Sequence, residues 1–418
     1  MTLIILDYLY YKVMRYFLLV LMALSSAGCH SGKQLGRSVD NAKRPYLIIL
    51  SMDGFRWDYP NLYATPNLDS IARIGVKASS LEPSFPSKTF PNHYTIATGW
   101  YPGHHGIVLN SFYDPKLGEY KLSNRKAVTN PAFYGGEPIW VTAEKQHVRS
   151  ACFFWPGSEA PIKGIFPEHY KKYDASVTFA SRVDTVIAWL RLPPARRPHL
   201  ILWYVNEPDR SGHLYGPRSQ KVRTRVESLD SLIGAYCRKI RSLPQADSIN
   251  LVFTSDHGME TITRRKSIAL DDYIPQAWLK DLQGGNPVIM LQPRKGYQDS
   301  VVGRLSKVKH MQTYTPENMP VRFHYTGNPR IYPVVCVADS AWSIYWDKKY
   351  FGNGGTHGYD PGNRNMHALL EACGPSFKSG VVTPDIKNVD LYNVFSRIMG
   401  LSPAKNDGST RAADLLLR

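Results

Sequence analysis

The chain predicts an α/β fold with a mainly parallel central sheet, on three observations. Four short, essentially apolar runs, "YLIILSM" (46–52), "SACFFW" (150–155), "HLILWYV" (199–205) and "INLVFTS" (249–255), have the pattern of strands covered on both faces. Helical patterns lie between them, so strand and helix alternate, as a parallel sheet with helices on both faces requires. At 418 residues, 43% hydrophobic and 12% aromatic, the chain can bury one large core or two modest ones.

The first element is an address. "MRYFLLVLMALSSAGC" (14–29) sets Arg15 before the apolar stretch Phe17–Leu24, with small residues ahead of Cys29, which is the layout of a secretory signal peptide. The apolar part is short for a bilayer span. "SAGC" resembles a bacterial lipobox with Ser26 in place of the usual leucine. Lipidation at Cys29 and plain cleavage near Ala27 are the two expected outcomes, and Met14 is a more conventional start than Met1. The protein is expected to be exported, as a periplasmic or outer-membrane-anchored bacterial lipoprotein. Export would permit disulfides among Cys152, Cys237, Cys336 and Cys373, in any of three pairings, and the absence of CxxC argues against a structural zinc knuckle.

After a linker (29–43), the main domain is expected over 44–402. The run 46–52 is its first strand, followed by the helix "TPNLDSIARIG" with Thr65 as cap and Pro66 in the first turn. "SFPSKTFPNHYTIATG" (84–99) reads as a loop entering a helix, with prolines bracketing "SKTF". Thr89 there is either a helix cap or a nucleophile held where the helix N-terminus favours an anion. The run 150–155, the helix "VTFASRVDTVIAWLR", the run 199–205, a long amphipathic helix around 218–242 and the run 249–255 continue the alternation. The stretch 260–356 departs from it, being rich in Pro, Gly and Tyr with broken runs such as "NPVIMLQP" and "SIYW", and reads as an insertion or lid. The helix "NVDLYNVFSRIMG" returns to the sheet, and 403–418 is expected to be a C-terminal tail.

Fifty-one Lys+Arg against 34 Asp+Glu give a net charge of +17, which suits phosphate esters, nucleotides or a membrane surface. Clusters such as "KVRTR" and "RRK" are too short for a nucleic-acid tract and read as solvated faces, so no specific nucleic-acid recognition is expected.

The chemistry sits just after the strands. "ILSMDGF" places Asp53 after the first run, "YVNEPDRSGH" places Asp209 and His213 after the third, and "FTSDHGM" places Asp256 and His257 after the fourth; "GGTHGYD" supplies His357. Ligands of parallel sheets bind beyond the carboxyl ends of the strands. Singly these residues have plainer readings: Asp53 as a turn residue, Asp209 and His213 as a cap pair around Gly212, His357 as a loop histidine. Jointly they converge on one rim. Carboxylates with imidazoles and no thiolate suit zinc better than magnesium or calcium, and six such residues plus the Thr89 hydroxyl would furnish two sites.

The ordered motifs "SMDGFRWDY", "PSKTFPNHYTIATG", "YVNEPDRSGHLYGP", "TSDHGM" and "GTHGYD" resemble those of the nucleotide pyrophosphatases/phosphodiesterases, the type I phosphodiesterases of the alkaline phosphatase superfamily, over about residues 44–402. The resemblance implies an alkaline-phosphatase-like sheet and two Zn2+ ions per chain. Asp53, Asp256, His257 and Thr89 would hold one, and Asp209, His213 and His357 the other. It implies cleavage of phosphodiester or pyrophosphate bonds of nucleotides and their derivatives through a phosphothreonine at Thr89, with Asn110 donating to a phosphate oxygen. Phe90 and Tyr173 resemble the pair that sandwiches the base, and "FWPGSE" (154–159) resembles a stretch lining the pocket. The rival readings are a choline- or glycerol-type lipid headgroup phosphodiesterase, a phosphomonoesterase, and a zinc-stabilised binding lipoprotein without catalysis.

Overall fold

The computed structural model describes residues 44–418. The signal peptide, the alternative start at Met14, the lipidation site Cys29 and the linker 29–43 lie outside the described residues. Eight strands form the central sheet: β1 (Tyr46–Met52), β2 (Val76–Ala78), β3 (Ser150–Phe153), β4 (His169–Lys171), β5 (Leu200–Val205), β6 (Ile249–Thr254), β7 (Leu370–Cys373) and β8 (Val381–Thr383). Their spatial order is β8–β2–β7–β6–β1–β5–β3–β4. β1 lies between β5 and β6 and pairs with both in parallel, Ile49 facing Leu202 on one side and Val252 on the other. β7 alone runs antiparallel, to β6 and β2. The fold class read from the apolar runs is therefore the one observed.

Every residue of β1 is buried. Its alternation divides the core in two: Leu47 and Ile49 face one apolar cluster, Tyr46, Ile48, Leu50 and Met52 the other. Six helices matter for the site: α1 (Pro66–Ile74), α2 (Thr89–Thr98), α3 (Phe179–Leu190), α4 (Asp209–Tyr215), α5 (Gln220–Arg241) and α6 (Leu391–Met399). α2 and α6 pack on the first face through Tyr94, Ile96, Leu391 and Phe395. α3 and α5 cover the second through Val183, Ile187, Val226 and Ile233. Thr65 stands at the N-cap of α1, but its side chain caps nothing. Asp230 of α5 takes the orphan N–H groups instead, accepting from Asn67 N (3.2 Å) and Leu68 N (2.9 Å).

The broken runs of 260–356 resolve into an antiparallel sheet of their own, ordered Leu279–Gly285, Val288–Pro293, Val334–Ala338, Met311–Tyr314. One face (Ile289, Leu291, Val334, Cys336) builds a separate apolar cluster, while Val288, Met290, Val335 and Val337 join the main core. Residues 403–418, expected as a tail, carry a helix (Arg411–Leu416) that buries Ala412, Ala413 and Leu416 in that core. The reason is an apolar face that the surrounding polar residues hide from a linear reading. Cys152, Cys237, Cys336 and Cys373 are all free thiols, so none of the three pairings is formed. Among the described residues no helix is long and apolar enough to cross a membrane.

Candidate metal centre and active site

The central strands β1, β5 and β6 end on one rim, and the predicted residues leave from their ends. Gly54 makes the junction tight. Its φ of +68° belongs to glycine, and a Cβ there would lie 2.9 Å from Asp209 Cα. The Asp209 N–H donates to the Asp53 carbonyl (2.9 Å), so the two acidic residues are tied backbone to backbone. Gly355 allows a second close approach: a Cβ there would lie 2.5 Å from the Gly212 carbonyl of α4. That contact lays the strand Gly354–Thr356 against α4 and delivers His357 beside His213, with ring centroids 5.0 Å apart.

Each imidazole is oriented the same way. His257 Nδ1–H donates to the Gly258 carbonyl (2.8 Å), His357 Nδ1–H to the Ser87 carbonyl (2.8 Å) and His213 Nδ1–H to the Gly355 carbonyl (2.9 Å). A carbonyl can only accept, so Nδ1 carries a proton and Nε2 is the ring nitrogen turned inward. His257 Nε2 lies 3.0 Å from Asp256 Oδ2 and 3.4 Å from Asp53 Oδ1; Asp209 Oδ1 lies 3.3 Å from His213 Nε2 and 3.6 Å from His357 Nε2. Those three carboxylate oxygens are buried and accept no hydrogen bond. Buried carboxylate oxygens without hydrogen bonds, facing ring nitrogens, are stabilised by positive charge, which a bound cation would supply.

The ligand atoms of Asp53, Asp256 and His257 lie within 4.8 Å of one another, as do those of Asp209, His257 and His357. The rings of His257 and His357 stack 3.6 Å apart, so the two clusters are neighbours. Burial raises the Asp53 pKa, and repulsion from Asp256 and Asp209 adds to it. Burial, then the neighbouring charges of His257, Lys88 and His213, hold His357 well below the ordinary histidine value. It is neutral, as a metal ligand must be. Burial also lowers His257, but the Asp256 carboxylate outweighs it and the net direction is up: this cluster demands positive charge.

Thr89 is the first residue of α2 and does not cap it. The cap position is Lys88, in extended conformation, and the helix has no side-chain cap bond. The Thr89 hydroxyl lies 3.2 Å from His257 Nε2 instead. Asn110 Oδ1 accepts the Phe90 N–H (2.9 Å), which leaves the Asn110 amide N–H groups to donate into the cavity. Lys88 points away, its Nζ donating to the Asn286 carbonyl (2.7 Å) and tying the loop to the insertion.

Asp53, Thr89, Phe90, Asn110, Tyr173, Asp209, His213 and His357 line one cavity of about 310 Å3. Asp256 and His257 lie fully buried behind it. "FWPGSE" contributes Phe154, Trp155, Pro156, Gly157 and Glu159 to the wall. Tyr173 is half-exposed and meets Phe154 edge-on at 5.1 Å.

Two functional neighbours escape a reading by motif. Tyr204, in β5, donates its hydroxyl to Asp53 Oδ2 (2.6 Å). His93, one turn into α2, donates from Nδ1 to the Thr89 carbonyl (2.9 Å), lies 3.3 Å from Asp256 Oδ2, and accepts from the Ser51 hydroxyl at Nε2 (2.8 Å). The signals were present: a tyrosine inside a doubly covered strand, and a histidine four residues after Thr89 on the same helix face.

A parallel sheet whose central strands end in carboxylate–imidazole clusters beside a helix-borne hydroxyl is the arrangement of the alkaline phosphatase superfamily. Within it, residues 47–360 match the profile of type I phosphodiesterase / nucleotide pyrophosphatase, and the chain belongs to that family. Human ectonucleotide pyrophosphatase/phosphodiesterase family member 1 is 36% identical over 390 residues, 90% of this chain and 42% of its own length. Venom phosphodiesterase from Naja atra is 36% identical over 383 residues, 89% of this chain and 46% of its own. The chain thus spans less than half the length of these curated relatives. Among solved structures, murine ectonucleotide pyrophosphatase/phosphodiesterase 5, as an inactive threonine-to-alanine variant in complex with AMP, superposes with a TM-score of 0.85 at 32% identity, covering 89% of this chain and all of that one. The human counterpart superposes with a TM-score of 0.83.

Proposed function

We propose that the protein is an exported hydrolase that cleaves phosphodiester or pyrophosphate bonds of nucleotides and their derivatives, using Thr89 as nucleophile and two zinc ions. One observation carries the reading: a threonine hydroxyl at the N-terminus of a helix without a side-chain cap, beside two clusters of buried carboxylate oxygens and inward-turned imidazole nitrogens suited to cations. The nitrogen and oxygen donor set fits zinc. Asp53, Asp256, His257 and Thr89 would hold one ion and Asp209, His213 and His357 the other. Zinc so held supplies Lewis acidity, favouring an oxygen anion near neutral pH and offsetting charge on the phosphoryl group.

The residues of the chain do the rest. Thr89 gives up its proton to solvent water, its oxygen forms a bond to phosphorus, and the bond from phosphorus to the leaving group breaks, that oxygen departing with the electron pair. Water then attacks the phosphothreonine and loses a proton, the bond from phosphorus to the threonine oxygen breaks, and that oxygen takes a proton back to regenerate the hydroxyl. Asn110 donates to a non-bridging oxygen, and the α2 N-terminus favours the anion. Phe90 and Tyr173 hold the base by stacking, worth about 1–3 kcal/mol. The AMP complex of the murine relative supports a nucleotide substrate, and the inactivity of its threonine-to-alanine variant supports a threonine nucleophile. Arg125 is the one arginine among the residues lining the cavity, and it is engaged with Glu159. The carboxylate of Glu159 offsets the Arg125 charge, so less positive charge faces the extra negative charge of a monoester, which favours diesters. A lipid anchor at Cys29 would place this activity at a bacterial membrane surface.

The test is a substrate panel on zinc-loaded protein: an aryl nucleotide diester, an aryl phosphate monoester and a choline phosphodiester. The nucleotide diester should turn over fastest, and Thr89→Ala and chelation should each abolish turnover. Dominant monoester or choline-ester cleavage would overturn the substrate reading, and an active Thr89→Ala the nucleophile.

A further inference from the structure

The turn that delivers Thr89 is braced from the far end of the chain. Leu81–Glu82 and Ile386–Lys387 run side by side as a short parallel ladder, Leu81 beside Ile386 and Glu82 beside Lys387. Each segment continues to a buried polar residue, Ser84 on one and Asn388 on the other, and the Ser84 hydroxyl donates to Asn388 Oδ1 (2.8 Å). Asn388 Nδ2 donates in turn to Asn92 Oδ1 (2.8 Å), inside α2.

Asn92 has no exposed surface and uses both its donors and both its acceptor positions. Its Oδ1 also accepts the Ser84 N–H (2.7 Å), while Nδ2 donates to the Pro86 carbonyl (2.9 Å) and the Lys88 carbonyl (2.8 Å). An N–H can only donate and a carbonyl can only accept, so these partners fix which way the amide points. The turn 84–88 is thereby closed on a side chain of the helix it leads into. Lys88 is the cap position of α2, and its carbonyl also takes the Asn92 N–H (3.1 Å), so the peptide entering Thr89 is pinned twice by one residue. No hydroxyl is required as a cap: Asn110 takes the Phe90 N–H, and Pro91 has none. Neither Asn92 nor Asn388 lines the cavity, and Asn388 lies beyond the residues 47–360 that match the family profile.

We propose that Asn92 and Asn388 are positioning residues for phosphoryl transfer, which fix the peptide before Thr89 so that its hydroxyl is aimed before substrate arrives. The inference rests on the reading of Thr89 as nucleophile. A reacting group displaced by about 1 Å can lose about 100-fold in rate. Without the Asn92 side chain the buried Ser84 N–H has no acceptor, so the turn must shift to satisfy it. Without the Asn388 side chain the pins on Pro86 and Lys88 survive and only the brace behind them is lost. The two should therefore differ in size and share one effect.

The experiment compares wild type, Asn92→Ala, Asn388→Ala, the double variant and Ser84→Ala, all zinc-loaded, on a 4-nitrophenyl nucleotide diester. Rapid mixing with enzyme in excess reads the first phosphoryl transfer; AMP inhibition and zinc affinity by chelator competition read the pocket and the metal centre. The first-turnover rate should fall about 100-fold in Asn92→Ala and about tenfold in Asn388→Ala, with AMP inhibition and zinc affinity within about threefold of wild type. Because the residues act as one network, the double variant should be no slower than about twofold below Asn92→Ala. If Asn92→Ala does not fold, Asn388→Ala and Ser84→Ala decide, the latter with an expected loss of about threefold. First-turnover rates at the wild-type level overturn the proposal. So do losses matched by equal losses of zinc or AMP affinity, which show a network that only supports the fold, and effects that multiply in the double variant. An active Thr89→Ala sinks the nucleophile reading itself, whereas an inactive Thr89→Ala beside normal asparagine variants sinks this inference alone.

Discussion

Tyr204→Phe removes one oxygen atom and tests how the metal centre is supported. Its hydroxyl donates to Asp53 Oδ2 at 2.6 Å, while Asp53 Oδ1 faces His257 with no hydrogen bond of its own. The bond fixes which oxygen is turned toward the cluster and stabilises the ionised carboxyl against burial and the charges of Asp256 and Asp209. A hydrogen bond to a charged group contributes about 1.5–3 kcal/mol. At about 1.4 kcal/mol per decade that corresponds to roughly 10–100-fold in affinity, the range found when the outer partner of a metal ligand is lost. Zinc affinity is measured by competition with a chromophoric chelator, and unfolding is followed with and without zinc. Affinity should fall by that factor, and the zinc-loaded variant should lose more stability than the metal-free one, in which Asp53 can take up a proton. Equal losses in both forms, with affinity unchanged, would show that Tyr204 serves only to pack β5.

Two further outcomes follow from the packing. Gly54→Ala forces a side chain into a left-handed conformation and into Asp209, so it should destabilise by about 1–3 kcal/mol in urea unfolding and weaken zinc binding with it. Glu371, in β7, is wholly buried, has Lys77 Nζ at 3.5 Å, and neither of its oxygens accepts a hydrogen bond. Burial raises its pKa to about 7. The folded state therefore holds this proton more tightly than the unfolded chain. Its contribution to stability is full below the ordinary glutamate value of 4.5 and is lost as pH rises through about 7. Glu371→Gln keeps the site neutral throughout, so its stability relative to wild type should climb between those pH values by up to about 3 kcal/mol. A flat difference across that range would place the wild-type carboxyl in contact with water.

The parts of the structure legible in the chain were those repeated in its local pattern. Four apolar runs foretold β1, β3, β5 and β6, because strands covered on both faces need no polar alternation. Asp53, Asp209, Asp256 and His257 could be placed because strand ends in such a sheet share one rim. What stayed hidden depended on pairing between distant segments. Nothing local says that Asp230 would cap α1 in place of Thr65, or that Lys88 would reach Asn286. The strands of 279–338 form an antiparallel sheet whose segments are interrupted by proline and glycine and whose last two strands are out of chain order, and so read as broken. Free thiols in place of disulfides likewise reflect where the cysteines come to rest on separate elements, which spacing does not encode.

The contact between Gly355 and α4 has a bearing on biogenesis. His213 and the carbonyl that orients it are separated by 142 residues. The second cluster thus cannot assemble until the chain has been made past Gly355, and closing so long a loop belongs to the slow, late part of folding. Cation capture at the second cluster would then report the arrival of His357, and a nascent chain stalled ahead of Gly355 would hold the first cluster alone.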